Sequence, residues 1–272
     1  MNQVSTPPVR MHISPRFLFF LLTACTVFLG LMAGISLYLR YEMGFDAQWG
    51  FARQFHMSEE NNLPSWYSST ILLLCAGILA MIACAKQQAR DPFAMHWVVL
   101  GGLFLGLSVD EAASLHEQLN LGLARIHRGA GLWFYEWVIP AAILVFLVGI
   151  AYLRFLMALP GQTRVRFVLA AGLYVGGALG CEMIEGWHDS LYGKFNLTGR
   201  YQLLILAEEL SEMLGVAVFA YALAVYYRDQ VGSLLISFSS DRPPQALRVH
   251  APSPGARSDS MGSSHPVSGL SA

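Results

Sequence analysis

Residues Val98–Glu117 read VVLGGLFLGLSVDEAASLHE: ten apolar or glycine residues run directly into a segment holding Asp110, Glu111, His116 and Glu117. The first half is the interior of a hydrophobic helix. The second half closes that helix with three carboxylates and an imidazole, at a depth where hydrocarbon penalises charge. Two later apolar segments repeat the pattern, EMIEGWHD at Glu182–Asp189 and EELSE at Glu208–Glu212. Why three spans carry acid at one level is the functional question this chain poses.

The rest of the sequence supplies the membrane. Of 272 residues 55% are hydrophobic and 13% charged, whereas a soluble domain carries about 25% charged residues. The apolar residues fall in runs of spanning length, roughly 17–25 residues each. The reading is an all-α, polytopic membrane protein built as a bundle of six transmembrane helices. They are predicted at about Phe17–Tyr38, Trp66–Ala85, Met95–Gln118, Leu132–Leu156, Phe167–Asp189 and Tyr201–Tyr227. The first run exceeds the ~7–15-residue core of a secretory signal and no small-residue cleavage site follows it. Residues 1–16 form a short polar segment, 17–227 the membrane domain, and 228–272 a tail. From Ser239 that tail is rich in Ser, Pro and Gly, a composition that does not build a core. The net charge of −1 says nothing about nucleic acid, and with no basic stripe to suggest it none is expected as a partner.

Charge asymmetry orients the bundle. With the N-terminus inside, eleven of the 17 Lys and Arg residues fall on the inner side, among them Arg10, Arg16, Lys86, Arg90, Arg154, Arg164 and Arg166. The positive-inside rule then makes both termini cytoplasmic, in a cell inner (plasma) membrane. In the same orientation only Asp91, Asp229, Asp241 and Asp259 of the 18 acids lie inside. The acidic layer therefore faces outward.

At ~1.5 Å per residue, Asp110, Glu182 and Glu208 sit roughly 10–15 Å below the outer ends of their predicted helices. At ~100° per residue, Asp110, Ser114 and Glu117 share one stripe with Glu111 at its edge. Glu182, Glu185 and Asp189 share a second beside His188, and Glu208 and Glu212 share a third beside Glu209. Each span thus offers one acidic face, as a bundle-facing site requires.

A buried carboxylate layer needs protons, basic side chains or cations to neutralise it. These spans carry almost no Lys or Arg at that depth, which leaves shared protons or a cation. Histidines beside the acids favour a divalent transition metal ion (Zn, Fe or Mn) over Ca²⁺. His116, Glu117, Glu182, Glu185, His188, Glu208 and Glu212 form the candidate ligand pool, with Asp110, Glu111 and Glu209 as candidate catalytic acid or base groups. Glu185-Gly-Trp-His188 has the Glu-x-x-His spacing of di-iron carboxylate bundles, although the second such pair is missing. One metal would activate water for hydrolysis of a lipid-like substrate drawn from the surrounding membrane lipid, and two could support oxidative chemistry. The rival readings are proton-coupled or cation transport, ranked second because no span reads as clearly broken and the inner halves lack the polar residues a through-path needs, and a non-catalytic assembly or sensing subunit.

Several expectations concern individual residues. Gly172, Gly176 and Gly180, like Gly102 and Gly106, repeat every four residues and predict close helix contacts. His96 and Glu136 read as interfacial, His127 likewise, and His56 as an imidazole that could fold in from the long outer loop at 39–65. Cys25, Cys75, Cys84 and Cys181 lack CxxC spacing and read as small apolar packing residues.

SVDEAASLHE, the LPSWYSS entry to the second helix (Leu63–Ser69) and EELSEMLG (Glu208–Gly215) together resemble a group of uncharacterised bacterial multi-pass membrane proteins sharing an SxDExxxxHE motif. The resemblance covers most of residues 17–227 and implies no particular activity. An outward-facing His/acid site in a helical bundle is also similar in style to the alkaline ceramidase and progestin-receptor-like membrane hydrolases. Those families use a Ser-x-x-x-His element and a paired His-x-x-x-His, and the latter is absent from this sequence.

Overall fold

A computed structural model describes residues 14–44, 50–57, 59, 61–125, 129–193 and 199–232, the side chain of Arg200 excepted. The described residues are helical throughout, with no strand among them. His127 and the C-terminal tail lie outside them.

Local chemistry sets the helix starts. Helix α1 (Pro15–Tyr41) has Pro in its first turn and Ser14 as its cap, whose Oγ accepts from Phe17 N–H at 3.0 Å. A five-residue helix α2 (Gly50–Gln54) follows in the loop after it. Helix α3 (Leu63–Gln88) opens with a reciprocal capping box between Asn62 and Ser65, with Pro64 just inside.

The third hydrophobic segment is two helices, α4 (Ala94–Ala113) and α5 (Leu115–Leu123). Ser114 joins them in the left-handed region at φ 50°, and the axes bend by 77°. This corrects the continuous helix to Gln118 and the expectation that no span is broken. The 20 residues of α4 cover ~30 Å at 1.5 Å per residue, one bilayer core. Asp110 and Glu111 therefore sit in its last turn, closer to the helix end than the straight helix implied.

A 3-10 turn at Gly131–Trp133 precedes α6 (Val138–Ala158), so the fourth helix starts six residues later than predicted. Helix α7 (Gly161–Val175) passes through a π-helical turn at Gly176–Cys181 into α8 (Glu182–Tyr192). Helix α9 (Gly199–Gln230) is the longest. Four segments, α1, α3, α6 and α7 through α8, are long and apolar enough to cross a membrane, and α4 with α5 makes five if the bent pair is one span.

Helix α9 is the centre of the packing. It lies against α1, α3 and α7, while α3 also packs along α4. Ile71, Leu72, Leu79, Ile82, Trp97, Met213, Val216 and Leu223 are fully buried between them. Small residues of α9, Ala217, Ala220 and Ala222, let neighbouring backbones approach. Two polar contacts pin helix pairs in this apolar setting: Tyr67 O–H donates to Leu22 O at 2.7 Å, and Ser108 and Ser69 exchange hydroxyl-to-carbonyl bonds at 2.8 and 2.9 Å. Helix α6 stands at the edge, tied in by Tyr152 O–H to His96 O at 2.8 Å and by Phe155 against Trp97. The His96 ring itself stacks on Phe155 at 5.5 Å.

Candidate functional site

The predicted glycine ladder does not make the contact. Gly102, Gly106, Gly172, Gly176 and Gly180 have open space where a Cβ would stand. The close approach is made by Gly177 and Gly215. A Cβ on Gly177 would come 2.9 Å from Glu212 Cγ and 3.0 Å from Glu208 O, and one on Gly215 would meet Tyr174 N at 2.8 Å. The π turn supplies the reason. Its wider winding rotates Gly180 and the residues after it away from a straight 3.6-residue register. Ser211 Oγ, donating to Leu173 O at 2.8 Å, reinforces the same crossing.

That crossing carries the acids. Glu182 and Glu185 begin α8 directly after the π turn, and Glu208 faces them from α9. One oxygen from each of the three carboxylates lies within 4.8 Å of the others. Glu185 is 6% exposed and Glu208 8%. Glu185 Oε1 is buried without a hydrogen-bond partner, while Oε2 accepts from Tyr201 O–H at 3.4 Å. Glu182 Oε1 accepts from Trp137 Nε1–H at 3.1 Å. Among the described residues these acids form no ion pair with Lys or Arg. Three carboxylates gathered this closely repel unless a proton or a cation stands between them.

Glu212 adjoins the group through its contact with Gly177 and lies within electrostatic reach of Asp110, Glu111, His116 and Glu182. The break at Ser114 arranges those first residues. By turning the chain back, it brings His116 N–H to Asp110 Oδ1 at 2.8 Å and His116 Nδ1 to Asp110 Oδ2 at 3.1 Å. A straight helix could not pair residues six apart. Glu111 and Glu209 are half-buried and both act on the neighbouring Tyr174, while Glu117 is exposed on α5.

His188 points elsewhere. Its Nδ1 meets Asp189 Oδ1 at 3.3 Å and its ring stacks on Tyr201 at 4.7 Å. Asp189 also accepts from Tyr135 O–H at 2.7 Å. The Glu-x-x-His spacing thus builds a carboxylate on one side and a His–Asp–Tyr contact on the other. His56 lies in the loop between α1 and α3 against Arg40, whose Nη1 donates to His56 Nε2 at 2.8 Å, and not with the acids. Glu136 is buried, its Oε1 accepting Gly129 N–H at 2.9 Å, so the headgroup reading of this residue is corrected.

Sequence reasoning missed Trp137, Tyr201 and Gly177. Trp137 reads as one of three aromatics at a helix entry, which is also how an interfacial belt looks. Nothing in its spacing signals Glu182, 45 residues away.

Residues 18–226 match the family model described as Domain of unknown function (DUF8692). The match spans most of the chain, and the chain belongs to that family. Comparison with curated proteins and with solved structures returned no match.

Proposed function

We propose that this member of a family of unknown function is a six-span protein of the inner membrane, both termini cytoplasmic, that binds a divalent metal ion through Glu182, Glu185 and Glu208 near its outer face. The observation that carries the reading is the grouping of one oxygen from each of three carboxylates within 4.8 Å, together with a Glu185 Oε1 that is buried without a hydrogen-bond partner. A bare carboxylate oxygen in that setting is costly, and a cation shared with two neighbours removes the cost. Helix α9, at 32 residues or ~48 Å, is long enough to supply the sixth span.

The chemistry we assign is hydrolysis of a lipid-like substrate. A bound divalent ion supplies a Lewis acid and an acidified water. His116, oriented by Asp110 through Nδ1, is the general base of this reading. Glu212 bridges the two halves in space, and Glu111 and Glu209 add negative potential that holds the cation. His188 and Glu117 stand as outer members of the ligand pool.

Elemental mass spectrometry on detergent-purified protein tests the site, wild type beside Glu185→Gln. Stoichiometric metal that falls in the variant supports it. Absence of metal after chelator-free purification, with none taken up on titration, overturns it. A second reading, cation or proton transport, is favoured by the 77° break in the third segment, since broken spans shape the sites of many transporters. Cation flux into proteoliposomes, lost in Glu208→Gln and without lipid hydrolysis, would select it.

A further inference from the structure

A carboxylate ligates well only if its orientation is held before the ion arrives. Proteins do this with a donor on the oxygen that does not ligate. Two of the three grouped carboxylates have such a donor, and in both it is aromatic. Trp137 Nε1–H occupies Glu182 Oε1 at 3.1 Å, and Tyr201 O–H occupies Glu185 Oε2 at 3.4 Å. On Glu185 the complementary oxygen, Oε1, is the buried one with no partner.

We infer that Trp137 and Tyr201 are positioning residues of the cation site, each holding one oxygen of a ligating carboxylate so that the other faces a hard, oxygen-seeking divalent ion of the Mn²⁺ class. The inference rests on the metal-binding reading above and deepens it. The ion class follows from the donor set, since the three grouped ligands are all carboxylates.

Trp137 is itself firmly placed. The preceding residue, Glu136, has its N–H on Asn120 Oδ1 at 2.8 Å and its carboxylate on Gly129 N–H, and the following residue, Val138, is fully buried. The indole also lies 5.2 Å from the His116 ring. One side chain thus touches both the carboxylate group and the Asp110–His116 pair, and a change in either should register in its emission.

The test is Mn²⁺ binding to the full-length, detergent-purified chain, followed by the loss of the free-ion paramagnetic resonance signal. Wild type, Trp137→Phe, Tyr201→Phe and Glu185→Gln are compared, with metal-free thermal unfolding run in parallel. Trp137→Phe keeps the ring and removes the N–H. It is expected to weaken Mn²⁺ binding by about tenfold or more, with metal-free stability little changed. Tyr201→Phe should act in the same direction and less, given its longer bond. Co²⁺, which quenches nearby tryptophan, should quench wild type more than Trp137→Phe. Wild-type affinity in both aromatic variants would overturn the inference while leaving the metal site standing. No Mn²⁺ binding by wild type would overturn the metal reading and this inference with it. Should Trp137→Phe not fold, Tyr201→Phe alone decides.

Discussion

Gly177 in the π turn and Glu212 on α9 are packed so closely that a β-carbon on the glycine would lie 2.9 Å from Glu212 Cγ. Backbone atoms crowd the same place, with Glu208 O at 3.0 Å. The helix that carries Glu182 and Glu185 therefore meets the helix that carries Glu208 at a point where only glycine fits. The spacing of the carboxylates depends on that missing side chain.

Gly177→Ala is expected to destabilise the protein by about 1–3 kcal/mol through overpacking, because α9 backbone has no free direction to move. It should also separate the carboxylates and weaken divalent-ion binding. Gly172→Ala, one of the glycines with open space, is expected to leave both unchanged. Thermal unfolding in detergent and ion titration check the pair; equal effects from the two substitutions would refute the crossing as described.

Removing the ion should cost stability in proportion to its binding. At a free ion concentration 100 times Kd, the bound ion contributes ~2.7 kcal/mol. Chelation is expected to lower the unfolding temperature of wild type. It should leave Glu185→Gln unmoved, and that variant should be more stable than chelated wild type because one repelling charge is gone. Differential scanning fluorimetry with and without EDTA measures this.

Ser114 occupies the left-handed region, which costs an L-residue about 1–2 kcal/mol and suits glycine. Ser114→Gly should be neutral within about 1 kcal/mol. Ser114→Val, β-branched at positive φ, should lose roughly 2 kcal/mol and loosen the Asp110–His116 pairing. Unfolding measurements give the stability. The imidazole titration of His116, followed by nuclear magnetic resonance, reports whether the pair survives.

The loop between α1 and α3 should be acid-sensitive. His56 is buried and accepts from Arg40 Nη1, while Glu59 stands nearby and pairs with Arg53 at 3.9 Å. Burial first, and then the Arg40 charge, hold the imidazole below its usual value, against a smaller opposing pull from Glu59. The unfolded loop therefore binds a proton more readily than the folded one. The stabilisation is full above about pH 6.5, the unfolded value, and is lost as pH falls through the folded one. Limited proteolysis of residues 50–62 between pH 8 and 5 should show opening on the acid side. His56→Gln, which can still accept from Arg40 but does not titrate, should flatten the profile.

Much of this was legible in the chain itself. The apolar runs mark the helices, with ends displaced by a few residues, and the segments around Asp110, Glu182 and Glu208 are visible as acid in apolar surroundings. The breaks were harder to see. Ser114 carries no Pro or Gly signal, and a serine after two alanines reads as ordinary helix. The π turn hides in a glycine-rich stretch whose four-residue repeat points to a contact that Gly177, one position along, makes instead.

What the sequence by itself determined is a helical membrane protein with three acid-bearing segments. Hydropathy and helical period are local properties, and in lipid a helix satisfies its own backbone whatever its neighbours do. Tertiary structure decided which oxygens meet. The Asp110–His116 pair exists because the chain turns at Ser114, and the Glu182–Glu185–Glu208 group exists because α8 emerges from a π turn against α9. Trp137 reaches Glu182 across 45 residues of chain. Such meetings depend on where helices cross and how far each is rotated, and those quantities are set by packing between segments and not by any one of them.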